Sequence, residues 1–184
     1  MRLSFSNRRS YKEQILIYEG CSDGSESIEA FSFFLFVPIV RSHIKNAIEK
    51  LGDYDAIHIR HSDYQTDYKT FFNQINVRAD RKIVLCTDSF EVQQYAKSFF
   101  GDRAVCVSEI PDTDGKPLHH NSDLDRYQTN LTALTDLFVL ACAKKLYITR
   151  HKEGRLSGFS ALAMKLNRRP KLIKRLLYDE RQEA

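Results

Sequence analysis

Short apolar runs recur along the chain, each followed by a polar loop and a segment whose apolar positions return every three or four residues. The runs are 14–18 (QILIY), 56–60 (AIHIR), 82–86 (KIVLC), 104–107 (AVCV) and 145–149 (KLYIT), all of strand length and rich in β-branched residues. Helical patterning falls at 33–51, 68–76, 90–99, 131–144, 160–167 and 171–180. This alternation predicts an α/β, Rossmann-like fold, a mainly parallel sheet with helices on both faces. Asp88 or Ser89 is placed to cap the 90–99 helix, and Gly101 to end it. Leu172, Ile173, Leu176 and Leu177 form an apolar stripe on the last helix, flanked by Lys171, Lys174 and Arg175, which reads as core packing. The polar stretch 20–27 (GCSDGSES) is the boundary candidate. Residues 1–20 are therefore expected to be an N-terminal appendage, and 21–184 one ligand-binding domain.

Composition narrows this picture without changing it. With 184 residues, 42% hydrophobic and 28% charged, the chain has the balance of one soluble domain. A domain of that size buries roughly 70% of its unfolded surface, so it needs no disulfide or structural metal. The four cysteines, Cys21, Cys86, Cys106 and Cys142, are scattered and read as buried thiols in a reducing compartment. The N-terminus lacks the apolar stretch of a secretory signal and no run is long enough to span a bilayer, so the expected location is cytoplasmic. Residues 144–184 hold 12 of the 28 basic side chains but only 4 of the 24 acidic ones. Such a bias suits nucleic acid, an acidic membrane surface, a phosphorylated ligand or a partner domain, and equally a solvated helix face.

The chemistry is expected where open parallel sheets bind ligands, outside the carboxyl ends of the strands. Three such ends are polar. In the first, His58-Ile59-Arg60-His61-Ser62-Asp63, side-chain alternation puts His58 and Arg60 on one face and Ile57 and Ile59 on the other. The second is Thr87-Asp88, directly before a helix. In the third, Thr149 and Arg150 lead to Ser157-Gly158-Phe159-Ser160 at the start of a helix. Free N–H groups there attract anions, Ser157 adds a hydroxyl and Gly158 permits close approach. Arg60 with the Ser157 turn describes a diphosphate pocket, although Arg60 could simply pair with Asp63 or Asp88, and Asp88 could simply cap a helix. There is no GxGxxG and no GxxxxGK[ST], and His61, His119, His120 and His151 lack metal-ligand spacing.

Taken in order, AIHIRHSDY, IVLCTDS and TDLFVLACAKKLYITRHKEGRLSGFSALA resemble the three motifs in the C-terminal nucleotide-binding half of the GT-B fucosyltransferases. That group holds the α1,2-, α1,6- and protein O-fucosyltransferases and NodZ, and its first motif is HxRxxD. The resemblance implies transfer of a sugar, with inversion and without metal or other cofactor, from a GDP-sugar such as GDP-fucose to a glycan or other hydroxyl acceptor. It makes Arg60 the arginine on the β-phosphate, with His58 lining the same pocket, Asp63 orienting Arg60 and Asp88 supporting the first motif. Asp136 would help hold the guanosine, and Ser157 would donate to the phosphate. His119 and Asn121 match a loop that closes over the nucleotide. Asp67 lies close to where the α1,6 enzymes carry a carboxylate and is the candidate base. His61 replaces the second arginine usual in the family.

The length leaves no room for the N-terminal domain that holds the acceptor in such enzymes. A partner subunit or missing N-terminal domain is therefore implied, with the 14–18 run as a remnant strand. Two other readings stay open. One is a non-catalytic or fragmentary nucleotide-binding module. The other is a nucleic-acid-binding domain using the basic C-terminus, although no recognised motif supports it and Tyr178 is the lone aromatic of the terminal helix.

Overall fold

The computed structural model describes residues 25–63, 65–111, 125–151 and 154–178. The 14–18 run, His119 and Asn121 lie outside the described residues. Four strands, β1 (Tyr54–Ile59), β2 (Lys82–Thr87), β3 (Ala104–Val105) and β4 (Leu146–Ile148), form one sheet in the order β3-β2-β1-β4. All pairings are parallel: Ala56 lies opposite both Val84 and Leu146, and Ile83 opposite Ala104.

Strand β1 sits at the centre, and all six of its residues are buried. Its alternation divides the core. Ile57 and Ile59, with Ile83 and Leu85 of β2, face α3 (Tyr68–Gln74) and α4 (Phe90–Phe100), where Phe72, Val92, Ala96 and Phe100 pack. Ala56, Val84 and Cys86 face the opposite way, onto Leu137–Ala141 of α5 (Arg126–Cys142). Behind α5 lie α2 (Pro38–Leu51), α6 (Gly158–Asn167) and α7 (Pro170–Tyr178), joined by Ile44, Leu166 and Leu176 in the same core. Phe138 is fully buried there, with Phe36 edge-on at 5.4 Å. Helices thus cover both faces, as expected of an α/β parallel sheet.

Several boundaries differ from the sequence expectation. The single helix expected at 33–51 is two, α1 (Ser25–Phe31) and α2, separated by the non-helical residues 32–37. Pro38 explains the break: it biases Val37 to extended geometry, observed at φ −59°, ψ 147°, and opens α2 at its first turn. Helix α1 also takes up the last residues of the 20–27 boundary stretch. Helix α5 starts at Arg126 rather than 131, because the Asp125 carboxylate accepts from the Tyr127 and Gln128 amides. Ser89, not Asp88, caps α4, and Gly101 ends it at φ 60°.

At the amino end of β1 the Asp55 side chain is buried, with Oδ1 2.8 Å from Arg81 Nη1 and Oδ2 unpartnered. Removing the guanidinium strands a buried charge, which typically costs about 3 kcal/mol. Urea unfolding of Arg81→Ala should show a loss of that order, whereas Asp80→Ala, which breaks the exposed Arg78 pair, should leave the midpoint in place.

Candidate functional site

The chain leaves β1 for β2 and β3 on one side, then returns past β1 to β4 on the other. This reversal opens a crevice at the carboxyl ends of the strands. A cavity of roughly 270 Å³ lies there. Strand β1 supplies His58 and the residue just beyond it, Arg60; β2 and its end supply Cys86, Thr87 and Asp88; α5 contributes Thr129, Asn130, Thr132, Ala133 and Asp136; Ile110 and Phe159 complete the wall.

The turn after β1 is tied to the end of β2. Asp88 Oδ1 accepts from the amides of His61 (2.7 Å) and Ser62 (3.3 Å), and Oδ2 accepts from Ser62 Oγ at 2.6 Å. Arg60 lies within that frame. Its Nε donates to Asp63 Oδ1 at 2.7 Å and its Nη2 to Asp63 Oδ2 at 2.5 Å, a bidentate fork, with Asp88 Oδ2 3.8 Å from Nε. The Arg60 side chain is 29% exposed and Asp63 36%, so screening leaves this pair little value for stability. Its effect is directional: it fixes the guanidinium plane at the cavity wall. His61, at the position of the expected second arginine, turns to Thr66 Oγ1 at 3.1 Å and packs against Tyr68.

His58 is buried, and desolvation pushes its imidazole down to about 4, outweighing the nearby Asp88 charge. It is therefore neutral at pH 7. Its Nδ1 lies 2.7 Å from Ser160 Oγ, which is 2.8 Å from Ser157 Oγ, and the Phe159 ring flanks the imidazole at 5.1 Å. Ser157 was expected to offer its hydroxyl to a phosphate. In the structure that hydroxyl is buried and caps α6 by accepting from the Ser160 amide, and Ser157 is not among the residues lining the cavity. Gly158 is the first residue of α6 and is exposed.

Asp136 of α5 lines the same cavity. Burial raises its carboxyl to about 6, against the lowering effect of a 2.6 Å hydrogen bond from Ser108 Oγ to Oδ1. Near neutrality it is a mostly ionised carboxylate in a dry setting, suited to a ligand bearing N–H donors. Asp67 sits elsewhere. Exposed at the start of α3, it accepts from the Thr70 amide at 3.1 Å and is not among the residues lining the cavity. The candidate base is a helix cap, its carboxylate engaged by the amide three residues on.

Sequence reasoning missed the α5 contribution ahead of Asp136. Thr129, Thr132, Ala133 and Asp136 recur at helical spacing and share one face, but the start of α5 is polar and carries no apolar period to mark it as helix. Ser160, one turn into α6, was also missed as the group that touches His58. Among the described residues no group of three His, Cys, Asp or Glu side chains gathers as metal ligands would, and no helix is long and apolar enough to cross a membrane.

No family model and no curated protein matches the chain. Solved structures do. The α-1,6-fucosyltransferase NodZ soaked with GDP-fucose superposes with a TM-score of 0.51 at 20% identity, over 79% of this chain and 47% of that one. NodZ co-crystallised with GDP, and the fucosyltransferase NodZ from Bradyrhizobium, give the same values. The chain thus spans about half the length of these enzymes (47%) and shares the fold of that half.

Proposed function

We propose that the cavity binds a GDP-sugar, with GDP-fucose the foremost candidate, and that the chain is the donor-binding part of an inverting glycosyltransferase. The observation that carries this reading is the meeting of Arg60, His58 and Asp136 around one cavity at the strand-order reversal. The likeness in fold to an enzyme soaked with GDP-fucose supports it.

The residues divide the ligand between them. Asp136 suits guanine, whose N1–H and exocyclic amine both donate, whereas the equivalent edges of adenine and uracil each present an acceptor that the carboxylate would repel. Arg60 suits the diphosphate, because its planar fork binds two oxygens and cannot lose its charge. As the sugar departs, its anomeric carbon becomes oxocarbenium-like and negative charge grows on the leaving diphosphate. A guanidinium already fixed by Asp63 stabilises that charge more in the transition state than in the ground state. In this reading Arg60 supplies the positive charge at the leaving group, so the transfer requires no metal. The acceptor and the base that deprotonates it come from a partner subunit or a further domain, since Asp67 is engaged in capping. A module that binds nucleotide without transferring sugar is the second reading. Its support is that Asp67, the carboxylate beyond the first motif, caps a helix and is not among the residues lining the cavity. Turnover of GDP-fucose on a glycan acceptor, assayed with the partner subunit or further domain present and with binding confirmed separately, separates the two.

Calorimetry with GDP should show Arg60→Ala binding about 10- to 100-fold more weakly than the parent. Equal affinities would remove the diphosphate assignment. With an acceptor module present, the same variant should lose about 3 kcal/mol of transition-state stabilisation, read as kcat.

Since Asp136 titrates near 6 in the free protein, and guanine favours its charged form, binding must release a proton at low pH. Affinity for GDP-fucose, whose sugar-capped diphosphate has no ionisation in this range, should therefore fall as pH drops through about 6, approaching tenfold per unit, and Asp136→Asn should flatten that dependence. Asp67→Ala should cost about 1 kcal/mol of stability through the lost cap, seen in urea melts, with GDP affinity unchanged.

A further inference from the structure

His58 meets a pair of hydroxyls whose hydrogen bonding can be counted completely. The Ser157 Oγ accepts from the Ser160 amide at 3.1 Å, as the cap of α6. The two hydroxyl oxygens are 2.8 Å apart, and Ser160 Oγ is 2.7 Å from His58 Nδ1. All three side chains are buried. Two hydroxyl protons therefore have to be placed among buried groups.

Only one order satisfies both. If Ser157 donates to Ser160 and Ser160 donates to Nδ1, each proton has an acceptor, and Nδ1 must be the bare nitrogen of a neutral ring. If instead Nδ1 carried the proton, Ser160 would accept it and turn its own hydrogen toward Ser157. The Ser157 proton would then face no acceptor among the described residues, the kind of buried loss that folded proteins avoid. Burial of His58 excludes the doubly protonated ring at neutral pH.

We propose that Ser160 is a positioning residue which, driven by Ser157, holds His58 in the tautomer protonated at Nε2 and so presents a neutral N–H donor to an anionic oxygen of the ligand beside Arg60. Access to that nitrogen fits. His58 lines the cavity, and among the described residues the buried side-chain atoms without a partner are Asp55 Oδ2 and Arg175 Nε, so Nε2 remains open to it. A neutral donor adds a hydrogen bond to a phosphoryl oxygen while placing no second cation next to Arg60. The identity of the ligand rests on the nucleotide reading; the tautomer does not.

Nitrogen-15 NMR of the ligand-free protein at pH 7 tests this, with His58 assigned by the loss of its signals in His58→Asn. The expected spectrum is a single neutral form carrying its proton on Nε2. Ser160→Ala should shift His58 toward the Nδ1–H form and weaken GDP binding about tenfold, while thermal melting shows the fold retained. Ser160→Thr, which keeps a hydroxyl, should restore the wild-type tautomer. A wild-type ring protonated on Nδ1, or a tautomer unmoved by Ser160→Ala, would overturn the proposal. If the wild type fails to bind GDP, the nucleotide reading falls, and the ligand-free spectra still decide the relay.

Discussion

Asp88 holds three hydrogen bonds from the turn that follows β1, and the site depends on that grip. Strand β1 is anchored on both faces by the core, but a strand determines direction only to its last ladder bond. Arg60 lies one residue past that point, where a free turn would let a long side chain sample many rotamers. The Asp88 carboxylate converts the turn into an extension of the sheet, and Asp63 then fixes the guanidinium itself. Asp88 shares its charge with two amides and a hydroxyl, so it restrains Arg60 at 3.8 Å without capturing it.

The central strands were legible because each is almost wholly buried and reads as an apolar run interrupted only by isolated polar residues, Asp55 and His58 in β1 and the terminal Lys82 and Thr87 in β2. Beyond them the code weakens for identifiable reasons. Strands β3 and β4 are shorter than the runs that announced them, since only two and three of their residues pair. The 32–37 break was visible in Pro38, yet the surrounding FFLFVPIV overwhelmed it as a continuous apolar pattern. Helix α5 extends five residues earlier than its apolar period, because Asp125 and the cavity, not the core, account for its first turn.

The site was legible to differing depths. Side-chain alternation alone placed His58 and Arg60 together, as period two must. Asp136 came only from resemblance, because a single acid in an apolar helix looks the same whether it faces a ligand or a buried serine. Ser157 does carry a hydroxyl at a helix start, but Ser160, three residues on, takes up that hydroxyl, and it is the Ser160 hydroxyl that meets β1 at His58. Asp67 shows the converse: a carboxylate lies close to where the resemblance places one, and a local amide engages it as a helix cap.

Helix α5 is divided along its length. Its opening turns face the cavity through Thr129, Thr132 and Asp136, while Leu137–Ala141 are locked into the hydrophobic interior. Exchanges among the opening residues therefore meet ligand and solvent, whereas those in the second half meet tightly packed neighbours. A lineage could revise what the crevice accepts by altering the front of this one rod, with the rear keeping the revised residues in register.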